Sequence, residues 1–322
     1  MLRVKSTYLQ DLAFSLGAIG GSVKDAEREG LLRSSADDLA AAGFDRHHRC
    51  PPDETAYDLA RAAVTGLDVA DGVDAIIYST CLPGNGSVGD PAAFAADRDV
   101  KHLMEFPASR LQADFGLGSA VVFGLSQQGC TGMLGALRLA DALLARESGW
   151  SRVLCVAADR FPADAVYEQS YNLISDGAAA CVVSAAPPGL RLVAAHQITN
   201  GGLHAATDDE SVGTFFSYVP RLVRDCLSRA GLTIGDIDWV VPQNTNHNAW
   251  QILARLLGVD PSKVWQKSLP ETAHAISADN IINLKSLRNA GRIRPGERIL
   301  LVMAGHGLNW QAVVLEATEG LA

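Results

Sequence analysis

The sequence predicts an α/β fold, and two observations carry that reading. Short apolar runs rich in β-branched residues alternate with segments whose apolar residues recur at helical spacing, the pattern of strands buried on both faces and of helices that cover them. The second half of the chain also echoes the first. Taken in order, residues 20–49 are polar and charged and read as surface helix and loop. A helix is predicted over 54–65, then strands over 73–80 (VDAIIYST) and 120–126 (AVVFGLS), a helix over 131–146, and strands over 152–159 (RVLCVAAD), 178–186 and 190–199. Residues 200–213 (NGGLHAATDDESVG) read as an exposed connection. Helices over 215–230, 248–257 and 280–289 are interleaved with strands over 238–244 (DWVVPQN), 298–305 (RILLVMAG) and 310–317 (WQAVVLEA).

The echo pairs GVDAIIYST (72–80) with DIDWVVPQN (236–244), and SRVLCVAAD (151–159) with ERILLVMAG (297–305). Two related halves, 1–186 and 187–322, joined near AAPPGLR (185–191), account for it.

Composition narrows the function. A chain of 322 residues, 48% of them hydrophobic, supports a substantial core. A net charge of −9 argues against a nucleic-acid partner. No apolar run is long enough to span a membrane, and MLRVKSTYLQD has no signal-peptide core. The six cysteines (Cys50, Cys81, Cys130, Cys155, Cys181 and Cys226) show no paired spacing, which suits free thiols in a reducing cytoplasm.

Cys130 stands apart from the other five. An apolar run halts at SQQGC, and a helical pattern begins at Thr131 with Leu134, Leu137, Ala140 and Leu144 on one face. Unpaired N–H groups and the helix dipole at such a terminus favour a thiolate, so the position predicts a lowered pKa and a nucleophile. Gly129 and Gly132 permit a tight turn and close approach by a substrate. Cys155, Cys181 and Cys226 are read instead as small buried residues.

A nucleophilic thiol needs a base. His47 and His48 lie in a polar loop, and with Cys50 they make a poor metal set, because adjacent residues rarely converge on one ion. His102, His196 and His204 are isolated. His247, His274 and His306 lie near predicted loops after strands, where α/β folds gather functional groups.

LSQQGCTGML, SDGAAACVV, DIDWVVPQNTN and AGRIRPGERILLVMAGHGLNWQAVVL, in that order, resemble the ketosynthase III branch of the thiolase superfamily (β-ketoacyl carrier-protein synthase III) from about Phe44 to the end of the chain. The resemblance implies a duplicated, five-layered αβαβα thiolase fold, a homodimer, and an active-site cysteine, matched by Cys130, that accepts an acyl group from a thioester. It implies no cofactor beyond that thioester co-substrate.

Departures from the family set the functional expectation. The family's catalytic His position holds Gln243, and His247 falls a helical turn later. The family's Asn position holds His274, and Asp279 follows five residues on. The set Cys130, His274, Asp279 resembles an offshoot that moves acyl groups to hydroxyl or amine acceptors in specialised, antibiotic-type metabolism. In that reading His274 is the base and Asp279 orients it. A plainer role for Asp279 is to cap the helix over 280–289. In the Gly-rich loop AGHGLNW, Gly305 and His306 match the family's oxyanion segment, with His306 where a glycine is usual.

The first expectation is therefore an acyltransferase using a small-molecule acceptor. The alternatives are a decarboxylative carbon–carbon condensing ketosynthase III with an altered triad, and a non-catalytic subunit of a ketosynthase-like heterodimer. The donor is an acyl carrier protein or coenzyme A. The family's Trp clamp for coenzyme A is missing from LLRSSADDLAAAGFDRHHR, and its basic carrier contact is Asn248. A carrier protein has Arg221, Arg224, Arg255 and Lys263 to meet instead.

Overall fold

The structure, a computed structural model, describes residues 6–82, 91–162 and 164–320. The first half contributes β1 (Tyr8–Leu16), β2 (Ile19–Ser22), α1 (Val23–Arg28), α2 (Ala36–Ala41), β3 (Arg46–Arg49), α3 (Ala56–Thr65), β4 (Ala75–Ser79), α4 (Pro91–Asp97), α5 (Pro107–Asp114), β5 (Val121–Leu125), α6 (Gly132–Arg146), β6 (Arg152–Asp159), β7 (Glu168–Gln169), β8 (Asn172–Leu173) and β9 (Gly177–Ser184). The second contributes β10 (Leu190–Thr199), α7 (Asp208–Arg229), β11 (Trp239–Val241), α8 (His247–Leu257), α9 (Leu269–Thr272), α10 (Asp279–Asn289), β12 (Arg298–Gly305) and β13 (Asn309–Ala317).

Nine strands join in the order β11-β12-β13-β10-β1-β9-β6-β4-β5. The echo seen in the sequence is a structural equivalence. β4 pairs parallel with β6, β11 pairs parallel with β12, and an antiparallel strand follows each pair (β9 and β13). The halves meet where β1 pairs with β10.

Period-two alternation sorts the side chains into layers. Ile76, Leu154 and Val182 face the outer helices α3 and α5, while Ile77, Cys155 and Val183, one residue on, face α6 and α10. In the second half, Leu300 and Val314 face α7 and α8, and Leu301 and Leu315 turn to the same central pair of helices. The result is α/β/α/β/α, the thiolase architecture, with α6 and α10 shared by both halves of the sheet. Each fully buried Leu or Ile there contributes about 1.5–3 kcal/mol. A Cβ on Gly132 would fall 3.0 Å from Ser79 Oγ and 3.2 Å from Ser277 Oγ, so glycine lets the start of α6 press against the end of β4 and the turn before α10.

The structure adds elements to the sequence reading, and three segments show why. β1 was not expected, because Gln10 and Asp11 interrupt its apolar run; the pairing with β9 shifts register there. Residues 20–49 hold most of an antiparallel β2–β3 pair, with two short helices in the connection between the strands. The connection over 200–213 is half helix. α7 begins at Asp208 behind a capping box in which Thr207 and Glu210 satisfy each other's backbone N–H groups.

Candidate active site

The site lies on the seam between the halves, at the ends of strands and in the turns that follow them. Cys130 sits in a 3-10 turn, Gly129–Thr131, that runs directly into α6. Gln243 follows β11, His274 and Asp279 flank the turn before α10, and Gly305 with His306 closes β12. Cys130, Gln243, His274, Gly305 and His306 line one pocket, walled on its apolar side by Phe215, Phe216 and Trp310.

Two glycines allow the nucleophile's turn and the β12 loop to touch. Gly129 has φ +52°, and a Cβ there would lie 2.6 Å from the His306 carbonyl oxygen. A Cβ on Gly305 would lie 2.6 Å from the Cys130 nitrogen. Only glycine fits either position without displacing backbone.

His274 is fixed on both sides. Its N–H donates to Leu173 O at 2.9 Å and its carbonyl accepts from Ser175 N–H at 2.9 Å. Its Nδ1 meets Asp279 Oδ2 at 2.5 Å, which leaves Nε2 for the pocket. Asp279 is fully buried, and its other donors are Ala275 N–H (to Oδ1, 2.7 Å) and Asn244 N–H (to Oδ2, 2.7 Å). It is the first residue of α10, whose cap position is Ala278, and its oxygens turn back toward the turn rather than onto the helix. The capping role considered from the sequence is not the role of this side chain.

Gln243 Nε2 lies 3.5 Å from His274 Nε2. The amide cannot flip freely, because Gln243 Oε1 accepts from Ala304 N–H at 2.9 Å, and this turns the NH₂ toward the imidazole and the pocket. The strand end carrying Gln243 is held by buried asparagines that the sequence reading missed. Asn283 Nδ2 donates to Pro242 O and to Asn244 Oδ1, and Asn280 Nδ2 donates to Val241 O and Val302 O. Their signal was three asparagines at non-cap positions near the site, which invites a buried network.

Other expectations resolve differently. The thiol of Cys130 was expected to have a lowered pKa; it is held well above the usual thiol value, by the neighbouring Cys81 thiol first, then by burial and by the charges of Asp159 and Asp279. Forming the thiolate therefore calls for a base. Asp159, not singled out from the sequence, closes β6. Its Oδ1 accepts from Thr80 Oγ1 (2.8 Å), Cys81 N–H (2.7 Å) and Leu82 N–H (3.1 Å), and burial pushes its carboxyl up to about 7. His247 is the first residue of α8; its N–H donates to Ala42 O at 2.7 Å, and its Cβ faces Gly43. It lies outside the pocket. The imidazole of His306 is pushed below its usual pKa by burial, with the Asp208 charge opposing. Ser170 donates to Asp208 and Tyr171 to Asp209, which ties the β7–β8 hairpin to the start of α7 across the mouth. The segment over 159–172 supplies Gln169 to Asn172 to the pocket wall.

Two parts of the chain match sequence families: residues 126–201 match 3-oxoacyl-[acyl-carrier-protein] synthase III, and residues 227–317 match its C-terminal portion. A β-ketoacyl-[acyl-carrier-protein] synthase III from Chlamydia caviae is 31% identical over 300 residues, covering 81% of this chain and 82% of that protein. The synthase III structure from Thermus thermophilus superposes with a TM-score of 0.76 at 26% identity, over 98% of this chain and 100% of that one. ChlB3, an acyltransferase by name, superposes with a TM-score of 0.80 at 21% identity, over 97% and 98%, and shares the fold.

These relatives correct the first functional expectation. They are named as synthases, and the reading that put acyl transfer to a hydroxyl or amine first does not stand. The error has a physical source. Gln243 was read as the loss of a catalytic imidazole, whereas the structure presents its amide as a neutral donor beside His274. On the sequence relatives and the shared fold together, the chain belongs to the 3-oxoacyl-[acyl-carrier-protein] synthase III family of thiolase-fold enzymes.

Proposed function

We propose that this enzyme forms a carbon–carbon bond by decarboxylative condensation, joining an acyl group carried on Cys130 to a malonyl-type thioester. The observation that carries the reading is the placement of Gln243 Nε2 and His274 Nε2 3.5 Å apart on the pocket wall, where the amide N–H and a protonated Nε2 can serve one oxygen. Decarboxylation places negative charge on the thioester oxygen, and two fixed donors aimed at one point stabilise that enolate. The family pattern is an imidazole at the first of these positions and an amide at the second; here the amide is Gln243 and the imidazole is His274.

In the loading step His274 Nε2 takes the Cys130 proton, while Asp279 holds Nδ1–H and offsets the imidazolium charge. The thiolate attacks the donor thioester, the departing thiolate takes a proton from solvent, and His274 keeps the Cys130 proton on Nε2, its charge offset by Asp279. The Cys130 N–H and the facing 305–306 backbone are the donors for the tetrahedral oxyanion. The malonyl-type thioester then loses carbon dioxide, its enolate oxygen held by Gln243 and His274. The resulting carbanion attacks the acyl carbonyl, and collapse expels the Cys130 thiolate. His306 stands at the outer wall, where it contacts the entering thioester arm.

The thioester is delivered by an acyl carrier protein. Of the basic residues considered, Lys263 Nζ already donates to Ile237 O at 2.8 Å and Arg221 pairs with Asp225. Arg224 and Arg255 are thus the better contacts. A homodimer through β5 fits the same reading. β5 is an edge strand with Val121 exposed, and Met104 and Phe106 are exposed in the segment just before α5.

The test is carbon dioxide release from a malonyl thioester by enzyme preloaded with an acyl group, with the β-ketoacyl product identified by mass. Consumption of the acyl-enzyme without carbon dioxide release would sink the proposal.

A further inference from the structure

We propose that Cys81 is a resolving thiol for Cys130, and that a hydroperoxide converts the two into a reversible disulfide that switches the enzyme off and shields its nucleophile. The inference goes beyond the condensation reading and rests only on its assignment of Cys130 as the reactive thiol.

The backbone brings the two residues together independently of their chemistry. The end of β4 presses on the start of α6, with Ser79 Oγ 3.0 Å from the point where a Gly132 Cβ would stand. Cys81 lies two residues beyond Ser79, and Cys130 two residues before Gly132. Cys81 packs against the buried cluster that contains Cys130. Its backbone is not free to drift, because its N–H donates to Asp159 Oδ1 at 2.7 Å. The Cys81 thiol is the strongest single influence on the Cys130 thiol.

The chemistry follows from the base already in place. His274 removes the Cys130 proton, and the thiolate attacks one oxygen of the hydroperoxide. The O–O bond breaks, the other oxygen leaves as hydroxide or alkoxide and takes up a proton, and Cys130 becomes a sulfenic acid. The Cys81 sulfur then attacks the Cys130 sulfur, water leaves, and the S–S bond forms. Two thiols supply two electrons and the peroxide accepts them. Without Cys81, a second peroxide would carry the sulfenic acid on to sulfinic acid, which thiols do not reverse.

A second thiol pair serves as a built-in control. Cys155 and Cys181 stand directly opposite each other on β6 and β9, both fully buried and neither on the pocket wall. Burial shields them from peroxide.

The experiment treats the purified, folded chain with hydrogen peroxide, blocks free thiols and maps tryptic peptides without reduction. The expected product links the peptides 62–98 and 111–138, which carry Cys81 and Cys130. Acyl loading falls in step with the link and returns with dithiothreitol. In Cys81→Ser, compared with its own untreated loading, Cys130 gains two oxygens, and dithiothreitol restores at least about tenfold less loading than in the parent. The proposal is overturned if no 62–98/111–138 link forms, if Cys81→Ser recovers as the parent does, or if Cys155–Cys181 links just as fast. The peptide map uses the unaltered chain, so it decides even if the variant folds poorly. Acyl loading of untreated enzyme tests the nucleophile assignment separately.

Discussion

Replacing Gln243 with Leu should separate decarboxylation from loading. Leucine keeps nearly the same volume at a buried position but removes both ends of the amide. At one end, Ala304 N–H loses its 2.9 Å acceptor, which costs about 1–3 kcal/mol of stability. At the other, the enolate loses one of two donors. A missing oxyanion-type donor costs roughly 2.7–4 kcal/mol of transition-state stabilisation, a fall of about 10²–10³-fold. Loading does not use that donor, because the Cys130 proton goes to His274 and the first oxyanion faces the backbone. Loading should therefore stay within about threefold of the parent. The assay measures the two steps apart: intact-protein mass for acylation of Cys130, then single-turnover carbon dioxide release after a malonyl thioester is added to loaded enzyme. Carbon dioxide release within about threefold of the parent would refute the donor pair. Equal losses in both steps would place Gln243 in the positioning of Cys130 or His274 instead.

His274→Ala should lower turnover by about 10²–10⁴-fold, whereas His247→Ala, outside the pocket, should leave it nearly unchanged in steady-state assays. Asp279→Asn should cost both activity and stability. Both carboxylate oxygens accept from backbone N–H groups, so an amide must aim its own NH₂ at Ala275 or Asn244; melting curves should drop by the equivalent of about 1–3 kcal/mol, while a variant that melts like the parent would argue against this network. Gly129→Ala should abolish loading or folding, since its Cβ would sit 2.6 Å from the His306 oxygen, and normal loading would show that the two loops separate. Asp159→Asn tests a pH effect. Burial raises the folded carboxyl to about 7 from an ordinary 3.8, so folding favours the protonated form and wild-type stability is lost as pH rises toward 7. The variant keeps an oxygen for Thr80, Cys81 and Leu82 but carries no charge. Its melting temperature should gain on the parent between about pH 4 and pH 7, and a gap that does not vary with pH would remove the buried charge from the account.

Much of the site was legible because its chemistry sits at punctuation marks in the sequence. Cys130 showed itself by a strand that stops, a glycine and a helix that starts. His274 and Asp279 emerged by counting back from the GRIRPG landmark. Gln243 was visible only as something missing. Its usefulness depends on which way the amide points, and that is set by Ala304 N–H, 61 residues away. The thiol's resting state was misjudged for a similar reason. The helix terminus is local and readable, but the opposing influences of Cys81, Asp159 and Asp279 come from three other elements. In the fold, the alternation of β4, β6, β11 and β12 was plain, while β1 hid behind Gln10 and Asp11. The start of α7 looked like loop because its first turn is all acid, although the Thr207–Glu210 cap marked it as a helix.

The place of β1 has a consequence for how the protein is made. This strand, at residues 8–16, is the hinge of the whole sheet, yet its partners β9 and β10 lie at 177–184 and 190–199. On a ribosome adding about 5–20 residues each second, the roughly 160 residues between β1 and β9 take roughly 10–30 s to emerge. For that interval Leu9, Leu12 and Phe14 have no strand to lie beside, and the first half cannot close its sheet. Nascent chains of this topology therefore carry an orphan β-strand near their start for most of the synthesis of the first half. It offers a long-lived target for a chaperone, or for the same strand on a neighbouring nascent chain.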